Sequence, residues 1–493
     1  MNTRNIAISL MLAAAMMAST PASAQLKNLL NKAKAAVEKV DKAVEQNAAA
    51  PVAQAARAAV PASGRNYYVN AATGSNRNDG LSKATAVKDL QKAIDLAEEG
   101  GVINIAEGNY LGRLDQGYIE VKKYLSLVGG WNSDFTERNH LKYVTSIRPG
   151  AEQTNTSGHY ASMEVYVRGN SNGVVLIDGI LFDKGQYNCY CSYNPEDART
   201  GSPEGCETGR LLTEGDSPAV AKVGGAAIGR QLLRGEIEGQ VTIRNCTFVN
   251  GYHFAIEMGS LGGHYDICNN VFVANRMSAC AVRGMCADQN LCSLDFHHNT
   301  VLFTWCRTKV QEDMGVGFRY MTGLKEAKVY NNIFGCSNLG AIERTFKDSN
   351  SAREAERITS ATNNLFFMNR NNMTEKAADL VLPSGGGKWL FLSASQFEDA
   401  EQLKEYEGNR EMGTDENFIN AIDAAYLKGY MGINIKSSSS YDPNSAANQV
   451  NRLFGMNQQG TEIVRASMYA NRYPYLKALD LFGAVSGYGA QKP

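Results

Sequence analysis

Four charged residues recur at matched distances from an apolar repeat. Glu257, Arg283, Glu312 and Glu343 stand 9, 11, 11 and 9 positions after Phe248, Phe272, Val301 and Phe334. Arg344 follows Glu343, Asp313 and Arg319 follow Glu312, and His253 precedes Glu257. On successive turns of a β-solenoid, equivalent positions stack about 4.8 Å apart, so these side chains would form one column. Carboxylates interleaved with guanidinium groups can line a groove for an acidic or neutral glycan, the acids moving protons and arginine clamping anions. Hydrolysis of a glycosidic bond needs two carboxylates flanking it. The same pattern also serves a plain structural end, because opposite charges on neighbouring strands stabilise a solvent-facing sheet by ~0.2–1 kcal/mol per pair.

Other side chains carry open alternatives. His253, His264, His297 and His298 could exchange protons near neutral pH, or sit at bends of the chain. Trp305 and the tyrosines Tyr187, Tyr190 and Tyr193 offer flat surfaces for sugar stacking, or pack their own loops. Cys189, Cys191 and Cys206 lie in the polar stretch CYCSYNPEDARTGSPEGC, where a disulfide would fasten a long loop. Cys280, Cys286 and Cys292 precede His297 and His298, but the paired CxxC spacing of structural zinc sites is missing. A disulfide or buried thiols are the preferred reading there, and no metal site is assigned.

The elements that would position these residues come from an internal repeat. VTIRNCTF, YDICNNVF, LDFHHNTV, KVYNNIF and ATNNLFF align Phe248, Phe272, Val301, Phe334 and Phe366 at intervals of 24, 29, 33 and 32 residues. Before each lies a polar pair with one Asn: Asn245–Cys246, Asn269–Asn270, His298–Asn299, Asn331–Asn332 and Asn363–Asn364. An interval of this size is one coil, and a coil cannot bury its apolar side alone. Stacking hides the Phe/Val ladder and pairs the backbone edges. Asn suits the bend because it tolerates left-handed backbone and its amide can bond the next Asn. VVLIDGILF supplies an earlier coil, with Gly179 at the bend and Phe182 in the ladder.

The flanks differ in character. Residues 1–24 read as a signal peptide, with basic Arg4, an apolar stretch, and Ala22 and Ala24 before Gln25. An exported, periplasmic or extracellular protein follows from that. Residues 25–47 carry Leu26, Leu30, Ala33, Val37, Val40 and Val44 at alternating spacings of four and three, an amphipathic helix. It either lies on the body or joins copies into a homo-oligomer through residues 26–45. Residues 48–64 are an Ala/Pro linker. Across the chain 49 basic residues nearly cancel 50 acidic ones, which argues against nucleic acid as a partner, and no later apolar run reaches membrane-spanning length.

From Arg65 a strand, a Gly/Asn/Asp turn cluster, a helix with Val87, Leu90, Ile94 and Ala97 on one face, and a strand near Val102–Ile105 follow in order. This YYVN…GSNRNDGLS…LQKAIDLA pattern resembles the entry cap of pectate-lyase-like parallel β-helix proteins. LVGGWNSDFTERN and the final ALDLFGAVSGYGAQKP are similar to segments of exported members. The resemblance covers residues 65–493, with the cap at about 65–110 and a less regular part at about 373–493. It implies an all-β fold, a right-handed parallel β-helix with an N-terminal capping helix. It also implies a polysaccharide partner. In lyases of this superfamily an Arg or Lys removes a proton beside a uronate, and Ca²⁺ held by carboxylates steadies the enolate. Glu257 and Glu312 would then be cation or polar ligands and Arg283 the base or clamp. Arg319, Arg344, His253 and Trp305 would contact substrate. The Lys-Ser pair of chondroitinase-B/alginate-lyase-like enzymes is absent, as are the Asn-Thr-Asp, Asp-Asp and His-Gly sets of polygalacturonase-like hydrolases. A lyase or glycoside hydrolase, and a non-catalytic adhesin or structural β-helix protein, both stay open.

Overall fold

The pattern of YDICNNVF and its relatives yields, in a computed structural model of the chain, a strand, a two-residue bend and a second strand. The structure describes residues 64–111, 118–148, 161–184, 231–251, 254–286, 288–304, 315–321, 323–337, 339–344, 358–369, 377–383, 389–412, 416–423 and 473–493. The segments read from sequence as a signal peptide, an amphipathic helix and a linker, apart from Gly64, and the stretch with Cys189, Cys191 and Cys206 lie outside them. In one representative coil, Gly263–Cys268 leads through the bend to Val271–Val273 and then to Ser278–Gly284. Like strands of successive coils pair in register, giving three nine-stranded sheets, here sheets 1, 2 and 3 in the order the chain visits them. Every pairing is parallel except the last of sheet 3, where Trp389–Leu392 returns antiparallel to Leu380–Pro383. This is a parallel β-helix, right-handed as crossovers between parallel strands almost always are.

The interior is the predicted ladder. Phe182, Phe248 and Phe272 stack with ring centroids 4.9 Å apart. The next coil offers the smaller Val301 in register. Phe296 of sheet 1 fills the space this leaves, 5.9 Å from Phe272 and 6.3 Å from Phe334, and Phe366 continues 5.7 Å beyond. Close packing thus survives one missing ring.

The Asn column divides into two functions. Asn245, Asn269, His298, Asn331 and Asn363 hold left-handed backbone, with φ between 51° and 55°, and Gly179 does so at 72°. From Asn269 onward the next residue carries the amide ladder: Asn270, Asn299, Asn332 and Asn364, continued by Asn409 after Gly408 (φ 75°), are joined Nδ2 to Oδ1 at 2.9–3.2 Å, while Cys246 takes this place after Asn245. Each Oδ1 also accepts a backbone N–H of the preceding coil, as Asn332 does from Asn299 at 2.9 Å. A second left-handed column, at Asn250, Ala274, Phe303, Cys336 and Met368, ends the strands of sheet 2.

Both ends of the stack are closed. The helix Leu90–Leu96 buries Leu90, Ala93 and Ile94 in the main core. Its Gln91 meets the edge strand of sheet 3 through paired bonds to the Glu120 backbone at 2.8 and 3.0 Å. At the far end Leu392, Ala394, Phe397 and Leu403 enter the same core. The two glycines of LVGGW are forced by crowding: a Cβ on Gly129 would stand 2.5 Å from the Gly179 carbonyl, and Gly130 holds φ 83°. Arg138 of the same segment bonds the Gly129 carbonyl at 2.9 Å and Asp178 at 2.6 Å.

The C-terminal residues 473–493 run along the outward face of sheet 2 and do not close the coil stack. That face is apolar, with Val249, Val271, Val273, Leu302, Ile333, Leu365 and Phe367 buried against Tyr473, Leu481, Phe482 and Ala490.

Candidate functional site

On sheet 3 alternate residues face the core, namely Leu233, Ile256, Cys280, Phe318 and Ile342, so the residue after each points outward. Register pairing makes those outward residues one column: Glu120, Glu164, Arg234, Glu257, Ala281, Arg319 and Glu343. A second outward column, two residues further along, runs Tyr166, Glu236, Gly259 and Arg283.

Glu257 therefore stands on the expected face, half-buried, accepting a hydrogen bond from Gln231 Nε2 at 2.5 Å. Arg283 is exposed but pairs with Gly259, one side-chain position out of line with Glu257. The assumed column is corrected there, because the turn between sheets 2 and 3 varies in length and a fixed offset drifts. Glu343 and Arg319 are in register and joined Oε2 to Nε at 2.6 Å, and the Glu343 side chain is sealed from solvent. Burial raises the Glu343 carboxyl above its ordinary range, with Arg319 opposing. Its other oxygen, Oε1, and Arg319 Nη2 are buried with no hydrogen-bond partner among the described residues. A carboxyl so enclosed cannot reach a substrate in this structure, so Glu343 acts by holding Arg319.

Arg344 is a second correction. It pairs with Tyr320, which belongs to the core row, and is 1% exposed, so it does not face a substrate. Glu312, His253 and Trp305 lie outside the described residues.

Sequence reasoning missed Glu164, Arg234, Tyr166 and Glu236, since residues 185–230 separate their coils and hide the repeat. Tyr166 is half-buried, and burial raises its hydroxyl, with Arg234 pulling it down and Glu164, Glu236 and Glu257 pushing it up. Arg168 pairs with Glu236 at 2.5 Å. The outward chemistry of this face is thus a patch of Arg234, Glu257, Tyr166, Glu236 and Arg283, with Ala281 and Gly259 buried between them and Met285 packed over Gly259. The described residues do not fit a Ca²⁺ site here. Ca²⁺ takes six to eight oxygens, and Arg234 stands in register between Glu164 and Glu257, placing a guanidinium where the cation would be.

Cys280 is an interior residue, while Cys286 and Cys292 approach Sγ to Sγ at 2.9 Å. His297 and His298 lie at the end of sheet 1 and at its bend.

No family model and no curated protein sequence matches the chain. Among solved structures, the pectin methylesterase PemA from Erwinia chrysanthemi aligns over 71% of this chain and 91% of its own, at 12% identity and a TM-score of 0.31. A rhamnogalacturonan lyase aligns over 61% and 87%, at 14% identity and a TM-score of 0.18. The fold assignment rests on the chain's own three sheets and their register. No described helix is long and apolar enough to cross a membrane.

Proposed function

We propose that the protein is an exported β-helix protein that holds polysaccharide against the outward face of sheet 3, with Arg234, Glu257 and Tyr166 as contacting groups and Arg283 at the margin. The observation that supports this reading is the in-register outward column, which repeats a charged group at strand spacing over successive coils. A polymer with regularly repeated carboxylates or hydroxyls matches such a surface: arginine binds carboxylates in a fork, and Glu257 accepts from hydroxyls. The half-buried Glu257 is also the carboxylate on this column that proton transfer in a lyase or hydrolase would use.

The sealed Arg319–Glu343 pair favours a second reading, a non-catalytic surface or periplasmic adhesin or structural β-helix, because its charges are spent on each other. One experiment separates them. The purified chain is titrated with uronate-containing and neutral polysaccharides by calorimetry, and the same mixtures are assayed for unsaturated products and new reducing ends. Binding that falls at least tenfold in Arg234→Ala and Glu257→Gln supports the sheet 3 face. New products add the enzyme reading. Absence of binding to every polysaccharide overturns the proposal.

A further inference from the structure

Away from sheet 3, the outward face of sheet 1 carries a mixed set of donors. Asp266 and Cys268 are alternate residues of one strand, Gly263–Cys268, and the residues between and before them, Ile267 and Tyr265, are core. Both therefore project from the same side. On the neighbouring strand His297 pairs in register with Cys268. Its Nε2 lies 3.0 Å from Asp266 Oδ1. The carboxylate oxygen, the thiol sulfur and the imidazole nitrogen all fall within 4.8 Å of one another.

The histidine is oriented by its surroundings. Its ring stacks flat on Tyr330, centroids 4.7 Å apart and planes 6° from parallel. Its Nδ1 lies 2.7 Å from Nδ1 of His298, whose position is fixed by the left-handed bend. A ring nitrogen engaged in this way sets which nitrogen is offered on the other side, the arrangement that metal-binding histidines use.

We infer that Asp266, Cys268 and His297 form a binding site for a divalent transition-metal ion, with zinc the best match. Zinc takes sulfur at about 2.3 Å and nitrogen or oxygen at about 2.0–2.2 Å, so tetrahedral donors stand about 3.4–3.6 Å apart. The three atoms need only small side-chain adjustments to reach that. Calcium and magnesium prefer all-oxygen sets, which excludes them as the favoured ion. Charge also fits: one thiolate and one carboxylate neutralise a divalent ion, and His297 contributes a neutral imidazole. A neutral complex suits a place where Cys268 is 1% and His297 8% exposed. Three protein ligands leave a fourth position for water. The site is on a different sheet from the proposed glycan face, so the two readings fail separately.

The test uses the full chain, reduced and stripped with a chelator, and titrated with cobalt as a spectroscopic probe. The expected result is a thiolate-to-cobalt charge-transfer band in the near ultraviolet that saturates at one equivalent and is displaced by zinc. Cys268→Ser abolishes the band, and His297→Gln weakens cobalt affinity at least tenfold. Circular dichroism of each metal-free variant checks that it is folded. A reduced wild-type chain that gives no band, or a band that persists in Cys268→Ser, overturns the assignment.

Discussion

Sheets 2 and 3 are built by the same coils, yet their outward faces differ in kind. Sheet 2 presents Val271, Val273, Leu302 and Ile333 outward and covers them with the C-terminal residues. Sheet 3 presents Glu164, Arg234, Glu257 and Arg319. The strands explain part of this. Those of sheet 2 in the regular coils are three-residue strands, with only four residues between successive left-handed positions, too short to keep their exterior apart from the bends. Those of sheet 3 run to five or seven residues and can place charge at their middle. One exterior is a second core and the other a charged face.

The comparison can be broken most forcefully at the C-terminus. Removing residues 473–493 bares the apolar face of sheet 2. Burial of a large apolar side chain contributes about 1.5–3 kcal/mol, and several are lost, so denaturant unfolding should report a loss of about 5 kcal/mol or more, with aggregation. Truncation that leaves stability unchanged would mean that face needs no cover.

Next in size is the bend between sheets 1 and 2. Asn332→Ala removes bonds to Asn364 Oδ1 and the Phe296 carbonyl and leaves the Asn299 N–H unanswered. The cost is about 2–3 kcal/mol by equilibrium unfolding.

A pH effect then reports on the sheet 2 cover. His140 is 7% exposed, with its ring edge-on to Phe482 at 5.1 Å. Burial lowers it from 6.5 to about 4, Asp178 opposing and Arg138 assisting. The folded chain keeps His140 neutral while the unfolded chain takes up a proton. The stability from this group is therefore present above about pH 6.5 and lost as pH falls toward 4, by up to about 3 kcal/mol. His140→Phe should flatten that part of the stability–pH curve.

The smallest effect sharpens the contrast from the other side. Glu257→Gln on the partly open face of sheet 3 should shift unfolding by under about 0.5 kcal/mol, while polysaccharide binding falls. A large stability loss would return Glu257 to a structural role.

Much of the fold was legible because the solenoid writes itself in periodic residues. Phe182, Phe248, Phe272, Phe334 and Phe366 and the Asn pairs fall where their spacing placed them; of the expected helix face, Leu90 and Ile94 lie in the helix, while Val87 precedes it in a bridge to Val69 and Ala97 caps its end, all four buried. The division of each Asn pair into a left-handed residue and a ladder amide was not legible, since both positions favour the same residue. The sheet 3 site was read only in part. Counting from the ladder found Glu257, but the loops before sheet 3 vary, so Arg283 slipped two residues and Arg344 took the inward row. Sheet 1 follows no variable loop before its bend, so counting backward would have worked. YDICNN and LDFHHN align Cys268 with His297 and place Asp266 before them, a signal lost to the ordinary alternation of a solvent-facing strand.

The C-terminal residues are more than a cover. Tyr473 exchanges bonds with the Asn250 side chain at 2.7 and 2.9 Å, Gln491 bonds Asn269, Ala490 bonds Thr300, and Gly489 bonds the Asn331 carbonyl. These partners belong to four successive coils. A solenoid held only by nearest neighbours can unzip from an end, one turn at a time. Here a late segment is stitched across the turns, so no coil among them can come loose without releasing the others. Fraying is thereby replaced by collective unfolding, and a protease would find few partly opened intermediates to cut.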